Sequence, residues 1–219
     1  MNEGSEMAGL REKKKSNNRR KIVKSAKSLV RSMGSTEFTM KELAAKAGLS
    51  TFTVHQYFRT KSSIIFNVLM DVLDDIKTGP LPVNPSADEV IDYFMEFGDS
   101  PVDLYLENEE FYRAILGHFM SDHEQAQRLE YQEKARSYWK FAVSSLKKFN
   151  VFSPDLNEMD IIRAVQISFT GVMEMWVHYE LSSSQLRSQI RSVLALNLIA
   201  CTTEECREKL YNIVRESRY

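Results

Sequence analysis

The stretch that decides the fold runs Phe38-Thr-Met-Lys-Glu-Leu-Ala-Ala-Lys-Ala-Gly-Leu-Ser50 and continues Thr51-Phe-Thr-Val-His-Gln-Tyr-Phe58. Thr39 followed three residues later by Glu42 is a capping box, in which the Thr hydroxyl accepts from an early helix amide and the Glu carboxylate reaches back. Phe38 and Leu43 flank it at the positions of a hydrophobic staple. Gly48 stops this short helix, and Ser50 or Thr51 caps the next. Small residues at Ala44 and Ala47 let the two helices approach, while Leu43, Leu49 and Val54 supply a shared core. The second helix then exposes Thr51, Phe52, Thr53, His55 and Gln56, short or flat side chains suited to a DNA groove.

Upstream, Ile22, Val23, Ala26, Leu29, Val30 and Met33 recur on one face of a helix that ends at Gly34. Residues 1–16 are polar and basic, lack apolar periodicity and are expected to be a disordered tail. Downstream, Thr60 caps a fourth helix carrying Ile64, Ile65, Val68, Leu69, Val72 and Ile76, expected to reach Lys77. Residues 1–63 hold 14 Lys/Arg against 5 Asp/Glu, whereas residues 64–219 hold 15 against 25. A basic head on an acidic body points to a polyanionic partner for the head.

The segment 78–86 carries Pro80, Pro82 and Pro85 and reads as a loop. Beyond it, helical spacing occupies about 87–97, 102–120, 123–149, 157–181, 184–200 and 203–216, with breaks at Pro101 and Pro154. No segment shows sustained apolar/polar alternation. The chain is therefore all-α, with roughly nine or ten helices: a basic tail (1–16), a helix-turn-helix domain (17–63) and a larger helical domain (64–219). Two cysteines, Cys201 and Cys206, make no disulfide framework. The absence of a long apolar run or a secretory signal places the protein in the cytoplasm, away from the membrane.

Residues 22–66 resemble the DNA-binding head of TetR-family regulators, through Phe38 to Ser50, Thr53-Val-His-Gln-Tyr-Phe58 and Lys61. The match spans about a fifth of the chain, and the rest is similar to the family only in architecture and in Gly171 to Trp176. The resemblance implies that Thr39, Tyr57 and Lys61 touch phosphates, that Phe58 is core, and that Ser50, Thr51, Phe52, Thr53, His55 and Gln56 form the groove-facing surface. Phe52 stands where the family favours Gly or Ala, His55 where Tyr is usual and Thr51 where Lys is frequent. The operator is therefore not transferable from a relative.

The acidic body is rich in aromatic and Met side chains. In a TetR-like body such residues enclose an effector, and Phe94, Phe119, Trp139, Phe169, Met173 and Trp176 are the candidate walls of an apolar cavity. The stripes Ile161, Ile162, Val165, Phe169, Val172, Trp176 and Ile190, Val193, Leu194, Leu198 are divided between a domain core and a two-fold four-helix contact, giving a homodimer. His118, Asp122 and His123 lack a fourth ligand, and neither a metal nor a cofactor is expected. Enzyme signatures such as G-x-S-x-G, the P-loop and H-E-x-x-H are missing.

The expected function is a ligand-responsive repressor, not an enzyme. It binds a double-stranded palindromic operator as a dimer and is released by a small apolar or aromatic effector. The alternatives are a helix-turn-helix regulator governed by a protein partner, and an all-α enzyme.

Overall fold

The computed structural model describes residues 3–122, 124–153 and 155–217, with side chains from residue 9 onward. Ten helices account for them: α1 (Glu3–Met33), α2 (Met40–Ala47), α3 (Thr51–Tyr57), α4 (Lys61–Leu73), α5 (Ala87–Leu106), α6 (Glu109–Ser121), α7 (Gln125–Lys148), α8 (Glu158–Val177), α9 (Ser183–Ile199) and α10 (Glu204–Glu216). Among the described residues no strand forms, only one antiparallel bridge between Phe152 and Thr202. The fold is all-α.

The helices gather into two units. The first comprises Met1–Asp74 and Glu110–Asp122, the second Asp75–Glu109 and His123–Tyr219. The sequence division at residue 63 left α6 in the larger domain, whereas its contacts lie with the head. Phe119 stacks on Phe66 at 6.1 Å between ring centroids, and the Arg31 guanidinium lies over the Phe111 ring. His118 approaches Ser62 Oγ through Nε2 at 3.1 Å and Thr36 Oγ1 through Nδ1 at 3.5 Å. These partners are more than fifty residues away in sequence, so no local pattern announces them.

Within the first unit α1 packs on α2 and α4. Ile22, Ala26 and Val30, four residues apart, form its buried stripe. α1 starts at Glu3 and includes nearly all of the segment expected to be disordered, Met1 and Asn2 lying outside the described residues. The segment has no apolar stripe because it has no core to face. Its Glu, Met, Ala, Leu, Arg and Lys residues are nevertheless good helix formers, and they extend a helix already nucleated by the docked portion. α4 ends at Leu73 rather than Lys77, with Ile64, Ile65, Val68, Leu69 and Val72 buried.

In the second unit α8 and α9 pack together, with α5 and α7 on one side and α10 on α9. Gly98 on α5 allows the closest approach: a Cβ there would sit 2.4 Å from Leu194 Cδ1. α5 runs through Pro101 instead of breaking there. Proline removes the amide that would bond Phe97 O, four residues earlier. The Tyr138 hydroxyl of α7 donates to that carbonyl at 2.7 Å, so the freed acceptor is satisfied and the helix continues to Leu106. Of the apolar stripes on α8 and α9, Ile161, Ile162, Val165, Val172, Trp176, Ile190, Leu194 and Leu198 are all buried inside this unit. Those residues are core. A different set, Ile167, Met175, Tyr179 and Leu196, is left exposed.

Candidate nucleic-acid interface

The helix-turn-helix is built from local hydrogen bonds. Glu42 N donates to Thr39 Oγ1 at 3.1 Å, while Thr39 N and Thr39 Oγ1 both donate to Glu42 Oε2, at 2.7 and 2.9 Å. Those two donated bonds hold the Glu42 carboxyl below the usual carboxylate range. Gly48 adopts φ +65°, the left-handed region that favours glycine, and its amide returns to Ala44 O and Ala45 O. Ser50 then caps α3, its Oγ accepting from Thr53 N at 3.1 Å. Of the two caps open in the sequence, Ser50 is the one used; Thr51 is the first helical residue.

α3 presents most of its circumference outward. Val54 is its sole buried residue, and Phe58, which follows it, anchors its end in the core. Thr51, His55 and Gln56 are exposed, Thr53 and Tyr57 half-buried, and Phe52 is 72% exposed. Thr39 caps α2, Ser50 caps α3 and Lys61 opens α4. Thr39 and Ser50 are exposed, and the half-buried Lys61 holds its ammonium 5.8 Å from the centroid of the Phe38 ring. Of the nine residues expected to face DNA, Ser50 to Tyr57 lie on α3 and its cap, with Thr39 and Lys61 at the starts of α2 and α4. One qualification comes from Thr39. Its amide and hydroxyl protons are both committed to Glu42, so a phosphate would have to compete with that carboxylate.

Asn18 was not singled out in the sequence. Its Nδ2 donates to the Tyr57 hydroxyl oxygen at 3.3 Å, across 39 residues, which leaves the Tyr57 proton available. Next to it the Arg19 guanidinium covers the Phe58 ring at 4.6 Å and donates to Asn67 Oδ1 at 2.7 Å. The start of the core-docked part of α1 is thereby tied to the end of α3 and to α4.

The six candidate effector residues are not all brought together. Phe94, Trp139 and Phe169 form one aromatic cluster, Trp139 lying 6.0 Å from Phe94 and 5.3 Å from Phe169. Trp176 is fully buried elsewhere in the same unit, stacked on Tyr105, with its Nε1 donating to Ser183 Oγ at 3.0 Å. Met173 is buried on the same helix. Phe119 belongs to the other unit. A polar pair absent from the sequence reading lies beside the cluster: buried Gln166 donates to the side-chain and backbone oxygens of Gln132. Gln166 precedes Phe169 by three residues on α8, and Gln132 precedes Trp139 by seven on α7, so both pairs share the α7–α8 seam. Among the described residues no three His, Cys, Asp or Glu side chains are arranged to hold a metal, and His123 lies outside them. No described helix is long and apolar enough to cross a membrane. Burial pushes the Cys201 thiol upward, away from thiolate reactivity.

No family model matches this sequence, and no curated protein sequence is detectably similar to it. Solved structures are similar in fold. A TetR transcriptional regulator from Rhodococcus sp. RHA1 superposes with a TM-score of 0.63 at 16% identity, over 82% of this chain and 96% of that one. SmeT, the repressor of the Stenotrophomonas maltophilia multidrug efflux pump SmeDEF, gives 0.62 at 17% identity, over 85% and 91%. RolR, solved in complex with resorcinol, gives 0.61 at 16% identity, over 90% and 95%. The chain has the fold of the TetR transcriptional regulators.

Proposed function

We propose that this protein is a TetR-type transcription regulator. It binds a palindromic operator as a homodimer, represses, and is released by a small apolar or aromatic effector. The observation that carries the reading is α3: a capped helix whose one buried residue is Val54, presenting Thr51, Phe52, His55 and Gln56 outward from a strongly basic head. An α-helix fits the major groove, and exposed side chains of this kind can read base edges. Gln56 and His55 are the specificity residues, with Ser50, Thr51, Phe52 and Thr53 lining the approach. Thr39, Tyr57 and Lys61 hold phosphates. The reading assigns no catalysis to the chain and keeps it in the cytoplasm.

Dimerisation is supported by an apolar row on α8. Ile167, Gly171 and Met175 are exposed on it at four-residue intervals, with Tyr179 exposed just past its end and Leu196 on α9. Tyr179 is 76% exposed and holds a left-handed φ of +62°. A two-fold contact through both helices would bury this row and set the two recognition helices about 34–36 Å apart, the spacing of successive major grooves.

The effector site of this reading is the α7–α8 seam. Trp139, Phe94 and Phe169 offer flat apolar walls, and Gln132 and Gln166 offer an amide edge for hydroxyls or carbonyls. RolR's resorcinol is a flat ring with polar tips of that kind. A tenfold loss of operator affinity on effector binding corresponds to about 1.4 kcal/mol of coupling.

Selection of bound duplexes from a random pool tests the reading. A palindrome with half-sites one helical turn apart, or a multiple of it, is the expected result. Failure to enrich any duplex would sink the DNA-binding assignment. Enrichment of a single unrepeated site, with a monomer in sedimentation, would sink the dimer.

A further inference from the structure

The N-terminal half of α1 is the largest feature that the proposed function leaves unused. Between Arg11 and Lys24 the chain carries eight cationic side chains and one acidic one, Glu12. The corresponding stretch is one continuous helix, and Arg11, Lys13, Lys14 and Lys15 are all exposed. A helix of this charge density without a core face has no packing reason to be rigid or basic.

Its orientation is fixed by Asn18. The hydrogen bond from Asn18 to the Tyr57 hydroxyl turns one face of α1 toward the end of α3. With about 100° per residue, Arg11, Lys14 and Lys15 fall within about 60° of Asn18 around the helix axis, on that same face. Lys13, Arg20 and Lys24 point to the other side by the same count. Seven residues at 1.5 Å each carry Arg11 about 10 Å beyond Asn18, the span of about three base pairs.

We propose that this extension is a second DNA-contacting element: Arg11, Lys14 and Lys15 hold the phosphate backbone immediately outside each operator half-site. The proposal rests on the DNA-binding reading above. Its occupant is the duplex already engaged by α3, because Tyr57 is both the phosphate-facing residue of that reading and the partner of Asn18. Contacts of this kind are to phosphates, so they add affinity, salt dependence and footprint length without adding base preference.

The experiment uses the full-length protein and duplexes recovered by selection, in long form and with their outer flanks trimmed by about three base pairs at each end. Two triple variants remove equal charge: R11Q/K14Q/K15Q on the Asn18 face, and K13Q/R20Q/K24Q on the opposite one. The wild type is expected to prefer the long duplex. The first variant is expected to lose that preference and to flatten the slope of log K against log salt by up to about 2.7 per protomer, at 0.9 per phosphate contact. Its ranking of operator sequences is expected to stay unchanged. The opposite-face variant is expected to keep the preference for long flanks. Equal loss in both variants, or a wild type indifferent to the flanks, overturns the proposal while leaving the helix-turn-helix reading intact. A wild type that binds no duplex overturns that reading first. Circular dichroism of both variants, compared with the wild type, separates a lost contact from a melted helix.

Discussion

The head and the body of this molecule use their polar groups in opposite ways. In the head, the Thr39–Glu42 box, the Gly48 turn and the Ser50 cap tie residues three or four apart, and the side chains they position point outward. In the body, the decisive bonds join distant elements and point inward: Tyr138 to Phe97 across 41 residues, Gln166 to Gln132 across 34, Arg191 to Asp99 across 92. A surface that binds a polymer has to be rigid and exposed, which local caps accomplish. A cluster that admits a small molecule has to be assembled from several helices, and only long-range packing accomplishes that. Charge follows the same division, with a surplus of cations up to residue 63 and a surplus of carboxylates beyond it.

Substitutions should therefore separate the two regions. The largest effect is expected for Trp176→Ala, which empties a fully buried site and removes the indole N–H that donates to Ser183 Oγ. A loss of about 3–5 kcal/mol is expected in denaturant unfolding. A loss under about 1 kcal/mol, on the scale of a surface change, would mean that the aromatic body is not close-packed at this point.

Tyr138→Phe comes next. It keeps the ring against Phe97 and Trp139 but removes the donor to the carbonyl that Pro101 leaves free. Leaving that acceptor unmet should cost about 1–3 kcal/mol. The double variant with Pro101→Ala, which restores the backbone amide, should recover part of the cost. Recovery of nothing would refute the compensation.

In the head, Gly48→Ala meets open space but a left-handed backbone. The expected cost is about 1–2 kcal/mol, read in thermal unfolding and as weaker binding to every operator sequence alike. A neutral result would show that the turn tolerates another conformation.

A smaller effect is expected from pH. Burial lowers the His118 pKa below its ordinary 6.5, and Lys61 lowers it further against the opposing Asp122 and Glu37. The folded state therefore favours the neutral ring. As pH falls below 6.5 the unfolded chain takes up the proton first, so stability should decline with falling pH until the folded ring is protonated too. His118→Gln should flatten that slope. A steeper slope in the variant would contradict the sign.

Least of all should Gln56→Ala disturb the fold. As an exposed residue it should change stability by under about 0.5 kcal/mol. It should nevertheless re-rank operator sequences, whereas Lys61→Ala should weaken all of them together. Identical behaviour of the two variants would refute the division between base-reading and phosphate-holding residues.

What the sequence determined by itself was the helix-turn-helix and the helical class. Each cap, the Gly48 turn and the apolar spacing of α1, α2 and α4 are set by residues within one or two helical turns, so their partners are adjacent in the text of the chain. Val54 was legible as core, and Thr51, Phe52, His55 and Gln56 as surface, for the same reason, while Phe58 was core by the resemblance. Tertiary structure decided what periodicity cannot encode. It placed α6 with the head through Phe119 and His118, and it carried α5 through Pro101 on a hydroxyl from α7. It decided how the apolar residues of α8 and α9 divide, burying Ile161, Val165, Val172 and Leu194 and leaving Ile167, Met175 and Leu196 outside, because an apolar residue records that it avoids water and not which surface covers it. It also made a helix of the basic N-terminal segment and joined Asn18 to Tyr57, two residues that nothing in their own neighbourhoods connects.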